Sequence, residues 1–395
     1  MRRILPSGFV ASRWLRWLLP AHLGVILLFI AGCGSNSSIL DPQGPIASKE
    51  ATLFWIILGV ATFVFVAVEA VLIYSVFRFR ERPGAPEPRQ IHGNTRLEII
   101  WTIVPSFVLF VVLGVTISTL FSIQEPTNDA NNKLYVTAFG HQWWWEFRYF
   151  PNQQAQDANA RNVMSSQHVF DSPAPQVLTA DEIVVPMGYD VHVDLVSDNV
   201  IHSFWVPQLA GKMDVIPGHL NQTWFTASTP GTYVGRCTEF CGDQHAHMLF
   251  EVKVVPDKAS YDAWVSQQQQ PALDPSPGSL AAQGKELFYR GIFLNNQACI
   301  SCHSVAGAGV PVDPNNPNGP TINAQGVVGP NLTHFGSRDL IAGGVLNNCP
   351  GDQNCQTLTQ WLTDPQAVKP GNDMPYLGLS PSQVQALVAY LESLQ

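Results

Sequence analysis

At 395 residues the chain is longer than one ordinary domain, and only 13% of its residues are charged. Domains typically hold about 100 to 200 residues, so two or three folded units are expected. The formal net charge of −9 argues against nucleic acid as a partner.

The first 32 residues carry arginines and then an apolar run, from Trp17 to Ala31, that ends in Gly32-Cys33. This pattern resembles a bacterial lipoprotein signal peptide, in which small residues before a thiol let a peptidase approach. Cleavage would leave Cys33 as the lipid attachment site and take the net charge from −9 to −13, because four arginines and no acid precede it. A plain signal peptide, or a short anchor with an unmodified cysteine, is the alternative.

Two apolar stretches, at residues 52–77 and 97–121, follow a short external segment at 33–51. Each exceeds the about 20 helical residues needed to cross a hydrocarbon core, and a buried core helix would be shorter. The connecting loop at 78–96 holds five arginines and two glutamates, and positive loops stay in the cytoplasm. We therefore predict a multi-pass protein of the bacterial inner membrane, with both chain ends on the periplasmic side.

Short runs of alternating polarity occupy Lys133 to Val255, within a predicted domain at 122–265. They indicate an antiparallel β-sandwich or barrel. Residues 266–280 hold a run of glutamines and three prolines and predict an extended linker. Helical patterns dominate residues 281–395, so the last unit is predicted to be a small all-α domain.

The most specific motif is a sulfur-rich and histidine-rich loop with one further histidine upstream, namely His202, Cys237, Cys241, His245 and Met248. Thiolate, imidazole and thioether together favour copper, whereas zinc rarely uses methionine. A redox disulfide would leave the other three residues unexplained. A mononuclear blue-copper site needs one cysteine, so two cysteines suggest sulfurs that bridge two coppers, with a backbone carbonyl of the loop completing the ligands.

This loop and the two helices before it resemble subunit II of cytochrome c oxidase, which carries the dinuclear CuA centre in a cupredoxin-like sandwich. The resemblance implies bridging thiolates at Cys237 and Cys241, and further ligands at His202, His245, Met248 and the carbonyl of Glu239. It implies no catalytic residue in this chain, because such a centre passes single electrons and oxygen is reduced in subunit I.

Three further roles come only from the resemblance. Trp143, in Gly140-His141-Gln142-Trp143, is expected where electrons enter from the donor. Glu98 is expected at the mouth of a proton path into subunit I, although an acid at a helix N-terminus is also favourable through the helix dipole. The side chain of Glu239 is expected to reach a magnesium or manganese ion at the subunit I boundary.

Cys299-Ile-Ser-Cys302-His303 is the attachment signature of a covalent c-type haem, with His303 as the proximal iron ligand. With Gly329-Pro330-Asn331-Leu332 and the segment 369–375, it resembles class I cytochrome c domains over residues 281–395. Met374 is the one methionine after Cys302 and is the expected distal ligand, with His334 as the sole imidazole alternative.

Cys349 and Cys355 lie outside this pattern, and a local disulfide is predicted, with free thiols as the alternative. The resemblance implies a subunit of a proton-translocating cytochrome c oxidase that works with subunit I and further subunits. An external donor, either cytochrome c or a quinol-oxidising complex, would reduce the haem, which is tethered near copper without a tight docking surface. A nitric oxide reductase subunit and a copper-handling assembly protein are the alternatives.

Overall fold

The computed structural model describes residues 37–84, 86–87, 90–124, 132–164, 174–316, 319–349 and 356–395. The predicted signal peptide, Cys33 and Cys355 lie outside the described residues.

Two long apolar helices, α1 (Pro45–Arg78) and α2 (Thr95–Ile123), confirm the predicted membrane spans. Their apolar side chains are exposed along most of their length, as expected of helices that contact lipid or other membrane helices. Helix α1 begins seven residues before the predicted span, because its first turn is not in the apolar stretch but packs with Ile46 and Ala47 against the folded domain.

The outer ends of both helices are attached to the β domain, which we define as residues 132–255. The Trp224 indole donates to the Ile123 carbonyl at 3.0 Å, and Ala47 N donates to the Leu209 carbonyl at 3.4 Å. Lys49 Nζ joins the two helices by donating to the Ser122 carbonyl at 2.6 Å. The arginine-bearing loop between the helices therefore lies at the end remote from the β domain.

The β domain is a sandwich of two five-stranded sheets. The first sheet has the order β3-β2-β1-β5-β8, and its strands are β1 (Lys133–His141), β2 (Trp144–Phe150), β3 (Val177–Ala180), β5 (Asp190–Ser197) and β8 (Asn221–Thr226). The second has the order β4-β10-β9-β6-β7, with β4 (Glu182–Pro186), β6 (His202–Trp205), β7 (Met213–Val215), β9 (Gly231–Cys237) and β10 (Leu249–Val255). Helix α3 (Gln153–Met164) follows β2.

The prediction of a purely antiparallel sheet is wrong at two places. Strand β1 pairs in parallel with β5, and β4 pairs in parallel with β10. Both pairs join strands that are distant along the chain, and such pairs do not need a hairpin and can run either way.

Alternation along the strands builds the core of the sandwich. In β10 every second residue is buried, including Phe250, and in β9 Tyr233, Gly235 and Cys237 point inward. Phe250 packs against Trp145 with ring centroids 5.4 Å apart. A Cβ on Gly235 would lie 2.2 Å from the Phe250 ring, so glycine lets the ring sit directly on β9.

Helix α4 (Lys258–Gln268) leaves the sandwich, so the first residues of the predicted linker are helical. The remainder is extended but lies against the C-terminal domain, defined as residues 281–395. Ala272 N donates to the Ala306 carbonyl at 2.7 Å, and Lys285 forms an ion pair with Asp274. The backbone polar groups of this segment need hydrogen-bond partners, and the Ala306 carbonyl provides one of them.

The C-terminal domain is built on two crossing helices, α5 (Leu280–Arg290) and α9 (Pro381–Ser393). Gly284 makes the crossing possible, because a Cβ there would lie 1.9 Å from the Ala386 carbonyl oxygen. Ser380 and Gln383 form a capping box that fixes the start of α9. The remaining helices are short, namely α6 (Cys299–Cys302), α7 (Thr357–Thr363) and α8 (Pro365–Val368).

The prediction of an all-α unit is only partly met, because two small sheets are present. One pairs β11 (Ser304–Pro311) with β12 (Thr321–Gln325), and the other pairs β13 (Leu340–Ile341) with β14 (Leu346–Asn347). The larger hairpin is rich in glycine and valine, and Gly309 admits close approach to the Ile322 carbonyl, which a Cβ would meet at 2.1 Å.

Candidate copper centre and haem site

The copper-ligand loop, residues 237–248, connects β9 to β10 across one edge of the sandwich. Strand β9 delivers Cys237 to the inner face, and His202 comes from β6, which pairs with β9 through Phe204 and Cys237. A short 3-10 helix, His245–His247, turns the chain back so that Met248 is buried next to the thiols. All the sulfur and imidazole groups that the sequence singled out therefore meet at one point.

The donor atoms lie at spacings typical of groups that share one metal site. The Cys237 and Cys241 sulfurs are 3.8 Å apart. His202 Nδ1 is 3.9 Å from Cys237 Sγ, and His245 Nδ1 is 3.6 Å from Cys241 Sγ. Met248 Sδ is 3.9 Å from Cys241 Sγ, and the Glu239 carbonyl is 3.3 Å from Cys237 Sγ.

The tautomer of His202 is fixed by a neighbour. Asn199 Oδ1 accepts from the Val200 backbone N–H at 2.7 Å, which orients the amide, and lies 3.1 Å from His202 Nε2. Because an amide oxygen can only accept, Nε2 carries the proton and Nδ1 presents its lone pair to the thiols. This is the form that a metal needs.

The two thiols are close enough to hydrogen-bond to each other. The Cys241 thiol lowers the pKa of Cys237 by hydrogen bonding to its sulfur, with a smaller contribution from His202, and the same contact raises the pKa of Cys241. One thiolate is therefore stabilised without metal, and cations would displace the second proton. His202, Cys237, Cys241 and Met248 are buried, and this sulfur-rich donor set fits a copper pair.

Gln142 and Trp143 brace this loop from the first sheet. Both side chains donate to the Cys241 carbonyl, Gln142 Nε2 at 2.7 Å and Trp143 Nε1 at 2.8 Å. Gly242, at φ +112°, lies beneath the indole, where a Cβ would be 2.9 Å from Trp143 Cζ2. The role of Gln142 could not be predicted from the sequence, since amide donors to backbone carbonyls follow no spacing rule. Trp145, by contrast, is a fully buried core residue.

An apolar cavity occupies the C-terminal domain, and the predicted haem ligands Cys299, Cys302, His303 and Met374 all line it. Its walls include core side chains from three helices, from strand β13 and from the segment between α6 and β13, namely Phe288, Leu332, Phe335, Ile341, Leu358, Leu362, Leu387 and Leu391. A large apolar cavity with two thiols, an imidazole and a thioether on its walls fits a covalently bound haem.

Local contacts explain how the ligands are oriented. The His303 Nδ1–H donates to the Pro330 carbonyl at 2.9 Å, which leaves Nε2 for the iron. Gly329 packs on this ring, and a Cβ there would lie 2.6 Å from His303 Cε1. Met374 is held at both ends, since its N–H donates to Asn372 Oδ1 and its carbonyl accepts from Gln366 Nε2, each at 2.8 Å.

The alternative distal ligand has a different position. His334 Nε2 lies 3.0 Å from the Gln268 carbonyl, beside the segment that joins the two domains. Within the described part of the chain, His334 is not among the residues that line the cavity. The geometry therefore favours Met374.

Family models match three consecutive parts of the chain. They are the transmembrane domain of cytochrome c oxidase subunit II at residues 35–118, its periplasmic domain at 134–255, and cytochrome c at 281–395. A cytochrome c oxidase subunit 2 of Alkalihalophilus pseudofirmus is 34% identical over 94% of this chain and 96% of its own length. A second, of Bacillus sp. strain PS3, is 33% identical over 96% of this chain and 98% of its own length.

The chain belongs to the cytochrome c oxidase subunit II family. It is accordingly a subunit of the oxidase enzyme complex, a membrane protein with a copper-centre domain on the outer side and a fused cytochrome c domain. Among solved structures, the periplasmic domain of subunit II from Bradyrhizobium japonicum is 28% identical, covers 36% of this chain and 96% of that chain, and has a TM-score of 0.28.

Glu98 Oε1 accepts from the Asn94 backbone N–H at 3.3 Å, a helix-capping contact that explains this acid without a proton path. The Glu239 side chain is exposed beside the copper-ligand loop. Cys349 is disulfide-bonded, and because Cys355 lies outside the described residues their pairing stays a prediction.

Proposed function

We propose that the chain takes single electrons from an external donor and passes them, through its own two sites, to the oxygen-reducing site of subunit I. The donor would be a c-type cytochrome or a quinol-oxidising complex. When bound, the covalent haem and the dinuclear copper centre supply one-electron chemistry, and this chain supplies their ligands and the protein between them. Both soluble domains would lie on the periplasmic side, since they contact each other.

Six residues would hold the copper pair and four would hold the haem. The copper ligands are His202, Cys237, Cys241, His245 and Met248 with the Glu239 carbonyl, and the haem ligands are Cys299, Cys302, His303 and Met374. The exposed carboxylate of Glu239 would contribute to a magnesium or manganese site only together with residues of subunit I. A proton-path role for Glu98 would have to be additional to its capping contact.

The position of Trp143 carries this proposal. Its indole donates to the Cys241 carbonyl at 2.8 Å, and the same residue lines the haem cavity. One residue thus contacts the copper-ligand loop and lines the haem site. Trp143 would then accept electrons from the fused haem, and not directly from the external donor.

The external donor needs another approach to the haem. Val328 lines the cavity and is 58% exposed, and Tyr376, next to the lining residue Pro375, is 47% exposed. These uncharged side chains mark a solvent-facing part of the cavity rim. We propose that the donor meets the haem there.

The two alternative functions gain no support. Relatives that match nearly the whole chain are oxidase subunits. A nitric oxide reductase assignment therefore has no finding behind it, and a copper-handling protein would have no use for the haem cavity.

A Trp143→Leu variant of the intact complex tests the route. We expect the donor to reduce the haem at the normal rate and the following haem-to-copper transfer to slow, measured by stopped-flow absorbance. Trp264→Leu is the matched control, because Trp264 packs on Tyr149 and Tyr261 and touches neither site. Equal transfer rates in both variants would rule out Trp143 as the route.

A further inference from the structure

The ammonium group of Lys369 lies between the two domains and is nearly completely buried. Its Nζ donates to the carbonyls of Trp143 at 2.6 Å, His247 at 2.8 Å and Ala342 at 2.9 Å. An ammonium has three N–H donors, so each one is used. Two of the acceptors belong to the β domain and one to the C-terminal domain, so this single group joins them.

Burial of a lysine ammonium costs free energy unless each of its N–H groups has a hydrogen-bond acceptor. Within the described residues no carboxylate lies within 4.0 Å of Lys369. Carbonyl dipoles therefore compensate the buried charge, helped by the more distant Asp181. If the domains separated, two of these three contacts would be lost and water would have to replace them.

Further contacts surround the lysine. Gln244 Nε2 donates to the Pro370 carbonyl at 2.6 Å, and Leu249 N donates to the Gly343 carbonyl at 2.9 Å. Gly343, at φ +68°, is required at this point, because a Cβ would lie 2.4 Å from Lys369 Nζ and 2.5 Å from the Trp143 carbonyl oxygen. The close approach of the two backbones is thus built into the sequence.

The two segments that meet here are the ones that carry metal ligands. Gln244 and His247 belong to the copper-ligand loop, where Gln244 directly precedes the ligand His245 and His247 directly precedes the ligand Met248. Lys369 and Pro370 begin the haem-ligand loop, residues 369–375, which contains Met374. Lys369 and Gln244 therefore connect one ligand loop directly to the other.

From these contacts we propose that Lys369 and Gln244 form a latch that docks the haem-ligand loop on the copper-ligand loop and so positions the haem for transfer through Trp143. The inference rests on the proposed function. It replaces the expectation of a loose tether with a fixed geometry, in which transfer does not await an encounter of the domains.

Lys369→Met removes the three donors and keeps an unbranched side chain that is one atom shorter. In the intact complex, after light-triggered reduction of the haem, we expect haem-to-copper transfer to slow by about tenfold or more, as loss of positioning does. We also expect the rate to become dependent on solvent viscosity, because an undocked domain must diffuse back. The wild-type rate should not depend on viscosity.

Gln244→Leu removes the second hydrogen bond from the β-domain side and should have the same effect to a smaller degree. Lys285→Met is the matched control, since the Lys285–Asp274 ion pair joins only the C-terminal domain and the segment preceding it. Copper absorbance should match wild type in all three variants, and the haem potential should match wild type in Gln244→Leu and Lys285→Met. Because Lys369 itself lines the haem cavity, the haem potential of Lys369→Met is measured separately from its transfer rate.

A rate in Lys369→Met that equals wild type would overturn the latch, and so would a slower rate without viscosity dependence but with a shifted haem potential. The second outcome would mean that Lys369, which also lines the haem cavity, acts on the haem and not on the docking of the domains. The proposed function fails separately, through an unchanged rate in Trp143→Leu.

Discussion

The copper and haem sites of this chain are prepared in different ways. The copper-site donor atoms are already 3.3 to 3.9 Å apart, on a sandwich whose core of Trp145, Phe250 and their neighbours lies beside the site. In the C-terminal domain the side chains that form the core are also the walls of the cavity. Copper would bind to a domain whose core is already formed, whereas the haem would itself form part of the core of the C-terminal domain.

The largest effect is expected when the haem is prevented from attaching. In a Cys299→Ala, Cys302→Ala double variant, eight core side chains lose their packing partner. We expect a loss on the order of 5 kcal/mol or more, comparable with the whole stability of such a domain. Limited proteolysis of the full chain in detergent should digest residues 281–395 and spare the β domain, and a protease-resistant C-terminal domain would contradict the comparison.

Removal of one copper ligand should leave both folds in place. In Cys241→Ser one sulfur of the 3.8 Å pair is gone, so we expect the dinuclear centre to be lost while the covalent haem remains. Metal analysis should give iron at the wild-type level and copper well below it. If two coppers per haem were retained, the bridging assignment would be wrong.

A change of the distal haem ligand should be milder still. Met374→His replaces a thioether, which favours ferrous iron, with imidazole, and we expect the haem potential to fall by on the order of 0.1 V. Redox titration measures this. His334→Gln is the control and should leave the potential unchanged, because His334 is bonded to the Gln268 carbonyl.

The smallest effect is expected at a buried acid, Asp194, which tests whether the β domain unfolds independently of the C-terminal domain. Asp194 in β5 is 2% exposed, accepts from Gln222 through Oδ1 and has no partner for Oδ2 in the described structure. Burial, and secondarily Asp157, raise its pKa from 3.8 to about 6. The stability that this proton provides is complete below about pH 4 and is lost as the pH rises through 6.

Asp194→Asn should therefore stabilise the β domain above pH 6 by about 1 to 2 kcal/mol and have little effect near pH 4. Calorimetry of the full chain at several pH values measures the difference from wild type. The transition of the C-terminal domain should not move. A shift of both transitions together would mean that the two domains unfold as one unit.

The sequence predicts a site well when the residues that form it lie close together along the chain. Cys237 to Met248 form one short loop, and thiols and imidazoles have few other reasons to occur together, so the copper site was recognisable. Cys299 to His303 is equally local. The apolar length of the spans gave both helices, although the extra turn at Pro45 depended on tertiary packing.

The contacts between the domains could not be predicted in this way. Lys369 and Gln244 bond to main-chain carbonyls, which every residue offers, so no pattern of side chains reveals the partner. For the same reason, the contact of Gln142 with the copper-ligand loop could not be predicted. The parallel strand pairs and the hairpin at β11 and β12 depend on which distant segments meet, and alternation along a strand does not specify that.

Helix α1 enters the β domain without a flexible joint, since Ile46 and Ala47 are buried there and Trp224 fastens the end of α2. The helices and the domain must therefore tilt together. In a bilayer thinner than the apolar stretches, hydrophobic mismatch would be relieved by tilting, and the copper loop would tip with the helices relative to the membrane plane. Lipid thickness would thus act on the orientation of an electron-transfer site that lies outside the acyl chains.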